Sequence, residues 1–108
     1  MPRLLSRAAA AVALLIGAIG PAALAAPWKT CAFNDQPIRC RDSHSADGTV
    51  RIDWEEGKSM TYRVVEEGFP VSVLRDSLDG VWEREVLIQG NTVLTNPANG
   101  NRIFVPLR

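Results

Sequence analysis

The alternation of apolar and polar residues in the stretch TVRIDWEEGKSMTYRVV is the feature that most constrains the fold of this chain. Val50, Ile52 and Trp54 fall on one side of an extended backbone, and polar residues separate them. After a short polar break, the same spacing returns with Met60 and Tyr62. Because successive side chains of a strand point to opposite faces, the stretch predicts two half-buried β-strands.

The polar break between these strands predicts a three-residue hairpin loop, Glu55-Glu56-Gly57. Glycine at the third loop position readily adopts the left-handed backbone that such loops need. The loop sets the register, and a shift by one residue would bury Arg51 and Asp53. The predicted partners are Trp54 with Lys58, Ile52 with Met60, and Val50 with Tyr62.

Two further strands follow. The segment FPVSVLRD predicts a strand that begins after Pro70, and Asp79-Gly80 in SLDG predicts a two-residue turn. The segment VWEREVLIQ predicts the longest strand of the chain, in which Arg84 interrupts a mostly apolar face. We therefore expect Arg84 to lie near an edge of the sheet or to pair with a carboxylate.

The segment LIQGNTVLTNPANGNRIF is rich in asparagine and glycine and has two interpretations. Gly90-Asn91 predicts a two-residue turn, and NPANGN predicts a second turn before a last strand, RIFVPL. Asn91, Asn99 and Asn101 are then turn residues. The alternative is a ligand-binding platform, because these strands carry apolar side chains on both faces. The two-residue turn would pair Ile88 with Val93 and Leu87 with Leu94.

Cys31 and Cys40 predict one disulfide bond, which would tie together two short strands in WKTCAF and PIRC. The alternative is a metal site that uses both cysteines and His44. Metal sites favour closer cysteine spacing than the eight residues that separate this pair. The segment RDSHSADG, which contains His44, predicts a loop.

These patterns together predict an all-β domain with a single antiparallel sheet of five to seven strands, curled into a small barrel or half-barrel. The disulfide would lie in its N-terminal part. A barrel of this size is filled by its own side chains and has little room for a ligand.

Residues 1–25 predict a secretory signal peptide. Two arginines precede an uncharged apolar run of about a dozen residues, shorter than the roughly 20 that a spanning helix needs. Ala23-Leu24-Ala25 then places small residues at the positions that signal peptidase requires. We expect cleavage after Ala25 and one small mature domain, residues 26–108, that is soluble and either periplasmic or secreted.

The charge balance of the mature domain argues against a nucleic-acid partner. The leader contains two of the twelve Lys and Arg residues and none of the twelve Asp and Glu residues, so ten positive side chains face twelve negative ones. No basic cluster stands out, whereas nucleic-acid binding depends on one.

Three stretches, TVRIDWEEGKSMTYRVV, LDGVWEREVLIQGN and NGNRIFVPL, resemble a group of small exported cyanobacterial proteins with no assigned activity. The resemblance covers most of the mature chain. It implies a periplasmic or extracellular location, and it assigns no functional role to any residue of this sequence.

The sequence does not predict an enzyme or a bound cofactor. His44 is the only histidine, and nothing around it resembles a nucleophile with its base. Asp53, Glu55, Glu83 and Glu85 fall on polar strand faces or in turns, where solvated charge is ordinary. Trp54 and Trp82 lie in register with apolar neighbours and predict core residues.

Two classes of function remain. The first is a non-catalytic periplasmic or secreted binding module of unknown partner, which docks an envelope protein or a second copy of itself along a sheet edge. The second is a small disulfide-braced enzyme inhibitor or metal-binding protein, in which the segment NDQPIR presents Pro37 and Arg39. Trp28, close to the mature terminus, is a further candidate contact. The three asparagines named above complete the candidate contact residues.

Overall fold

The computed structural model describes residues 26–108, so the predicted signal peptide lies outside the described residues. The described chain forms eight β-strands that close into one antiparallel barrel, in which each strand pairs with the next. No helix in residues 26–108 is long and apolar enough to cross a membrane. The strands are β1 (Lys29–Phe33), β2 (Gln36–His44), β3 (Val50–Trp54), β4 (Ser59–Glu66), β5 (Val71–Asp76), β6 (Val81–Val86), β7 (Thr92–Thr95) and β8 (Arg102–Val105).

The barrel closes where β1 pairs with β8, through Ala32 opposite Phe104 and Phe33 opposite Ile103. The predicted all-β antiparallel sheet is therefore confirmed as a closed barrel, but the predicted count of five to seven strands is wrong. Both short N-terminal segments become full strands. In addition, β2 continues to His44 by pairing with β3, where the sequence predicted a loop.

Closure gives every described strand a neighbour on both sides. The free sheet edge that the sequence suggested for docking or dimerisation is therefore not present in residues 26–108. Arg84, expected either near such an edge or paired with a carboxylate, lies within the sheet opposite Ser72 of β5 and Leu94 of β7.

The hairpin of β3 and β4 has the predicted register, with Val50 opposite Tyr62 and Ile52 opposite Met60. The Trp54 amide donates to the Lys58 carbonyl at 2.8 Å, which closes the three-residue loop. The third loop residue, Gly57, has a φ of 110°, as the loop type requires.

The turn between β5 and β6 is longer than predicted. The Asp76 amide donates to the Gly80 carbonyl at 2.8 Å, so the loop has three residues, Ser77 to Asp79, rather than the two-residue turn Asp79-Gly80. Asp79 itself takes the left-handed conformation, with a φ of 72°. Aspartate tolerates this region better than most residues, so the turn does not need glycine there.

The turn between β6 and β7 is also a three-residue loop, and the predicted register is wrong. The Leu87 amide donates to the Asn91 carbonyl at 2.7 Å, and β6 ends at Val86. Gly90 occupies the third loop position with a φ of 88°, so its predicted positive φ is confirmed. Ile88, which was predicted in a strand, therefore lies in the loop, and its side chain is fully exposed.

The middle of the barrel interior is closely packed, and each end opens to a cavity, of about 390 and 360 Å³. The inward-pointing cysteines form the predicted disulfide, with a Cα–Cα distance of 5.7 Å between β1 and β2. For a loop of about ten residues, chain entropy predicts that this bond contributes about 2–3 kcal/mol. The buried aliphatic side chains pack with it in one core cluster. They are Val50, Ile52, Leu74, Leu94, Ile103 and Val105.

Candidate functional site

One end of the barrel contains an open cavity of about 390 Å³. We call this end the aromatic mouth; the turns that follow β1, β3, β5 and β7 surround it. Both termini of the described chain lie at the opposite end, which we call the terminal mouth. The volume of this cavity is larger than the sequence analysis predicted, since a barrel of this size was expected to have little room for a ligand. Its apolar walls include Phe33, Ile38, Trp54, Met60, Tyr62 and Trp82.

The hairpin topology explains why aromatic residues collect at this mouth. Phe33 and Trp54 are the last residues of β1 and β3, both of which run towards the mouth. Trp82 is the second residue of β6, which runs away from it. All three occupy inward positions, so the alternation of each strand brings them to the same end of the interior.

The aromatic rings form two edge-to-face pairs. Phe33 and Trp54 have ring centroids 6.3 Å apart and planes at 86°. Tyr62 and Trp82 have centroids 5.6 Å apart and planes at 88°. Such pairs contribute about 0.5–1.5 kcal/mol beyond their buried area, so these rings are held in defined orientations.

Asp76, the last residue of β5, places its carboxylate in the wall of the cavity. Its Oδ2 accepts a hydrogen bond from the Trp82 indole Nε1 at 2.8 Å. Its Oδ1 accepts from the amides of Gly80 at 2.7 Å and Leu78 at 2.9 Å. One carboxylate therefore fixes both the β5–β6 turn and the orientation of an aromatic wall.

The electrostatics keep Asp76 ionised and Tyr62 neutral. Burial raises the pKa of Asp76, but the hydrogen bonds from Trp82, Gly80 and Leu78 outweigh it and hold the pKa below 3.8. Burial, and then the nearby negative charge of Asp76, raise the pKa of Tyr62 well above its ordinary value of 10.0. At neutral pH the cavity wall therefore contains one negative charge and a neutral phenol.

The rim of the mouth is polar and solvated. The Lys58 side chain is 82% exposed, and its Nζ lies 3.9 Å from Glu56 Oε1. Ser77 donates from its hydroxyl to the Met60 sulfur at 2.9 Å. The contact links the β5–β6 turn to the first residues of β4.

The candidate contacts named from the sequence are not brought together in one site. Trp28 lies outside the barrel interior, where the Arg41 guanidinium stacks 4.2 Å from its ring centroid. Pro37 and Arg39 lie within β2, so NDQPIR is a tight hairpin rather than an extended presenting loop. Arg39 pairs with Glu55 at 3.2 Å on the surface.

The side chains of the three asparagines accept hydrogen bonds from within their own turn, from a neighbouring turn or from the C-terminal segment. The Leu107 amide donates to Asn91 Oδ1 at 3.0 Å, at the terminal mouth. At the aromatic mouth, the Asn101 amide donates to Asn99 Oδ1 at 2.9 Å. Asn34 Nδ2 donates to Asn101 Oδ1 at 3.0 Å and joins two neighbouring turns. These contacts support the turn interpretation of the segment.

A second polar cluster lies at the terminal mouth and was not anticipated. Lys29 Nζ is 2.6 Å from Asp42 Oδ1, and His44 Nε2 is 2.7 Å from Asp42 Oδ2. Lys29 also donates to the carbonyl oxygens of Pro106 and Leu107, at 3.0 and 3.2 Å, and so holds the C-terminal segment. Burial raises the pKa of Asp42, but the hydrogen bonds of Lys29 and His44 outweigh it and lower that pKa.

The cysteine-based metal site that the sequence left open is not formed, because both thiols are in the disulfide. In the described part of the chain, no three His, Cys, Asp or Glu side chains are grouped to hold a metal ion.

The sequence predicted Trp54 and Trp82 as core residues, and both are buried. Their second role, as walls of a cavity, was missed. The sequence does contain a signal for this second role. Phe33 and Trp54 directly precede predicted turns, and consecutive hairpins place these two turns at the same end of the sheet. Comparison with protein-family models, with curated proteins and with solved structures gives no match for this chain.

Proposed function

We propose that this protein is a non-catalytic, exported binding module whose ligand enters the aromatic mouth. The observation that carries the proposal is the open cavity of about 390 Å³ with aromatic walls. Ligand sites are typically concave, largely apolar and about 300–1,000 Å³ in volume, and the mouths of β-barrels are a recurrent place for them.

The division of the interior supports binding rather than incomplete packing. Around the disulfide, side chains such as Ile52 and Leu74 are completely buried. At the aromatic mouth, Phe33, Ile38 and Met60 pack against that core but remain partly exposed. An eight-stranded barrel has space for one small ligand when its side chains line the interior instead of filling it.

The ionisable groups of the cavity suit recognition better than proton transfer. Asp76 is held ionised by three N–H donors, and burial keeps Tyr62 protonated. A general acid or base works best with a pKa near the operating pH, and the shifts of both groups lead away from neutrality. The Cys31–Cys40 disulfide and the apolar leader support a periplasmic or secreted location.

A fragment titration followed by NMR tests the proposal. The mature domain is mixed with a panel of neutral small molecules, such as indole, phenol and cyclohexanol, at millimolar concentrations. We expect selective shifts of the Trp54 and Trp82 indole N–H resonances, because both rings line the cavity. The Trp28 indole, outside the interior, is the internal reference.

Two matched variants assign the binding to the mouth. Met60→Trp adds a large ring to a half-buried residue of the cavity wall, and should block the fragments. Val65→Trp adds the same ring to an exposed position of the same strand, and should leave binding intact. The proposal fails if no fragment shifts the mouth resonances, or if Met60→Trp binds the fragments as the parent does.

A further inference from the structure

We propose that the ligand of the aromatic mouth is a small organic cation whose methylated ammonium group sits against the aromatic walls beside Asp76. The inference rests on the proposed binding function and narrows it to one class of ligand. Three features of the mouth carry it: the aromatic walls, the negative charge, and the scarcity of other polar groups.

The first feature is the aromatic wall. Two ring pairs, Phe33 with Trp54 and Tyr62 with Trp82, line one cavity, and the planes within each pair are close to perpendicular. In an edge-to-face pair one ring covers a face of the other, and Trp54, Tyr62 and Trp82 are buried, so the half-buried Phe33 is the most accessible ring of the wall. The face of an aromatic ring carries negative potential and attracts a cation, most strongly for tryptophan.

The second feature is the charge of Asp76. Three N–H donors from the turn and from Trp82 hold this carboxylate, and its lowered pKa keeps it negative at neutral pH. These partners are neutral dipoles, so the full charge remains in the wall. A cation in the cavity would be attracted by it, whereas an anion would be repelled.

The third feature is the small number of other polar groups. Apart from Asp76, the polar groups of the lining are the Tyr62 and Ser59 hydroxyls and the Trp54 indole N–H, with Glu56 and Lys58 at the rim. A sugar or another polyhydroxylated ligand would leave hydroxyl groups without partners. A primary ammonium needs acceptors for three N–H bonds, whereas a methylated ammonium donates few or none and presents apolar methyl groups.

Lys58 does not reverse this preference. Its side chain is 82% exposed and lies 3.9 Å from Glu56, so water and an opposite charge both screen it. The charged side chains of the lining are Glu56, Lys58 and Asp76, which leaves one net negative charge.

The test compares two probes of the same shape. Choline carries a trimethylammonium group, and 3,3-dimethylbutan-1-ol replaces its nitrogen with carbon and is neutral. Both are titrated into the mature domain by NMR at constant ionic strength. We expect choline to bind several-fold tighter, with shifts at the Trp54 and Trp82 indoles; a cation–π contribution of about 0.5–2 kcal/mol corresponds to roughly 2- to 30-fold.

Three variants assign the preference to specific groups. Asp76→Asn removes the charge and should weaken choline several-fold more than the alcohol. Phe33→Leu removes one aromatic face from a half-buried position and tests the cage even if Asp76→Asn does not fold. Trp28→Leu removes an aromatic ring outside the interior and should change neither affinity.

Each outcome decides the inference. Tighter choline binding at the mouth that Phe33→Leu weakens selectively supports it. Equal or tighter binding of the alcohol overturns the cation preference but leaves the proposed binding function standing. Choline shifts near Trp28, or no choline binding, also overturn the inference. The neutral fragment panel separately decides whether the mouth binds small molecules.

Discussion

The hydrogen bond from Trp82 to Asp76 joins the candidate site to the stability of the barrel, and a double-mutant cycle can measure it. Trp82→Phe keeps an aromatic ring beside Tyr62 but removes the indole N–H. Asp76→Ala removes the acceptor of that N–H and of two turn amides. The double variant completes the cycle and isolates the coupling between the two side chains.

The structure sets the expected magnitudes. A hydrogen bond to a charged acceptor contributes about 1.5–3 kcal/mol when it is well shielded from water. Trp82 is buried and Asp76 is half-buried, so partial screening reduces the expected coupling to about 1–2 kcal/mol. Asp76→Ala alone should cost about 2–4 kcal/mol, because it also leaves the amides of Leu78 and Gly80 without their acceptor.

Urea unfolding of residues 26–108, with the disulfide intact, measures the stability of the parent, the two single variants and the double variant. The same experiment has a pH signature. The folded state lowers the pKa of Asp76 below 3.8, so ionised Asp76 stabilises the fold above that pH. The stability difference between parent and Asp76→Ala should be constant at neutral pH and shrink as the pH falls below about 4. Two results would show that the Trp82–Asp76 hydrogen bond does not stabilise the fold as described. One is a coupling free energy between the two side chains below about 0.5 kcal/mol. The other is a stability difference between the parent and Asp76→Ala that stays constant into strong acid.

Three further predictions concern the turns, the disulfide and the terminal mouth. Gly90→Val should destabilise the barrel by about 1–3 kcal/mol in thermal unfolding, because a β-branched residue is strained at positive φ; melting like the parent would contradict the three-residue loop. Replacing Cys31 and Cys40 by serine should cost at least about 2–3 kcal/mol in urea unfolding, and an unchanged midpoint would show that the bond adds no stability. His44→Ala should change the unfolding free energy by less than about 1 kcal/mol, because the His44 side chain is 59% exposed; a larger loss in the same assay would contradict this expectation.

The sequence predicts the β3–β4 hairpin correctly because two independent signals agree there. The alternation around Ile52 requires one register, and Gly57 at the third loop position selects the same one. The β6–β7 hairpin has only one reliable signal, since Gly90 suits a turn of two or of three residues. The apolar run through Leu87 and Ile88 favours a longer strand, and the observed register instead puts Leu94 in the core.

Closure and the cavity are harder to predict because both depend on distant residues. The pairing of Phe33 with Ile103 joins residues at opposite ends of the domain, and no local pattern encodes it. The same closure brings Phe33 to the mouth that Trp54 and Trp82 occupy. Sequence patterns can therefore assign each aromatic residue to the inner face, but only the closed topology shows that they share one cavity.

The two halves of the interior depend on each other energetically. A domain of about this size buries only about 60% of its unfolded surface, so its stability is marginal without further restraints. The open cavity at the aromatic mouth reduces the apolar surface that is buried on folding. The disulfide and the fully buried residues around it, such as Ile52 and Leu74, offset the loss. Filling the mouth, as Met60→Trp is designed to do, should therefore raise stability while it removes binding, a trade-off that is common at functional sites.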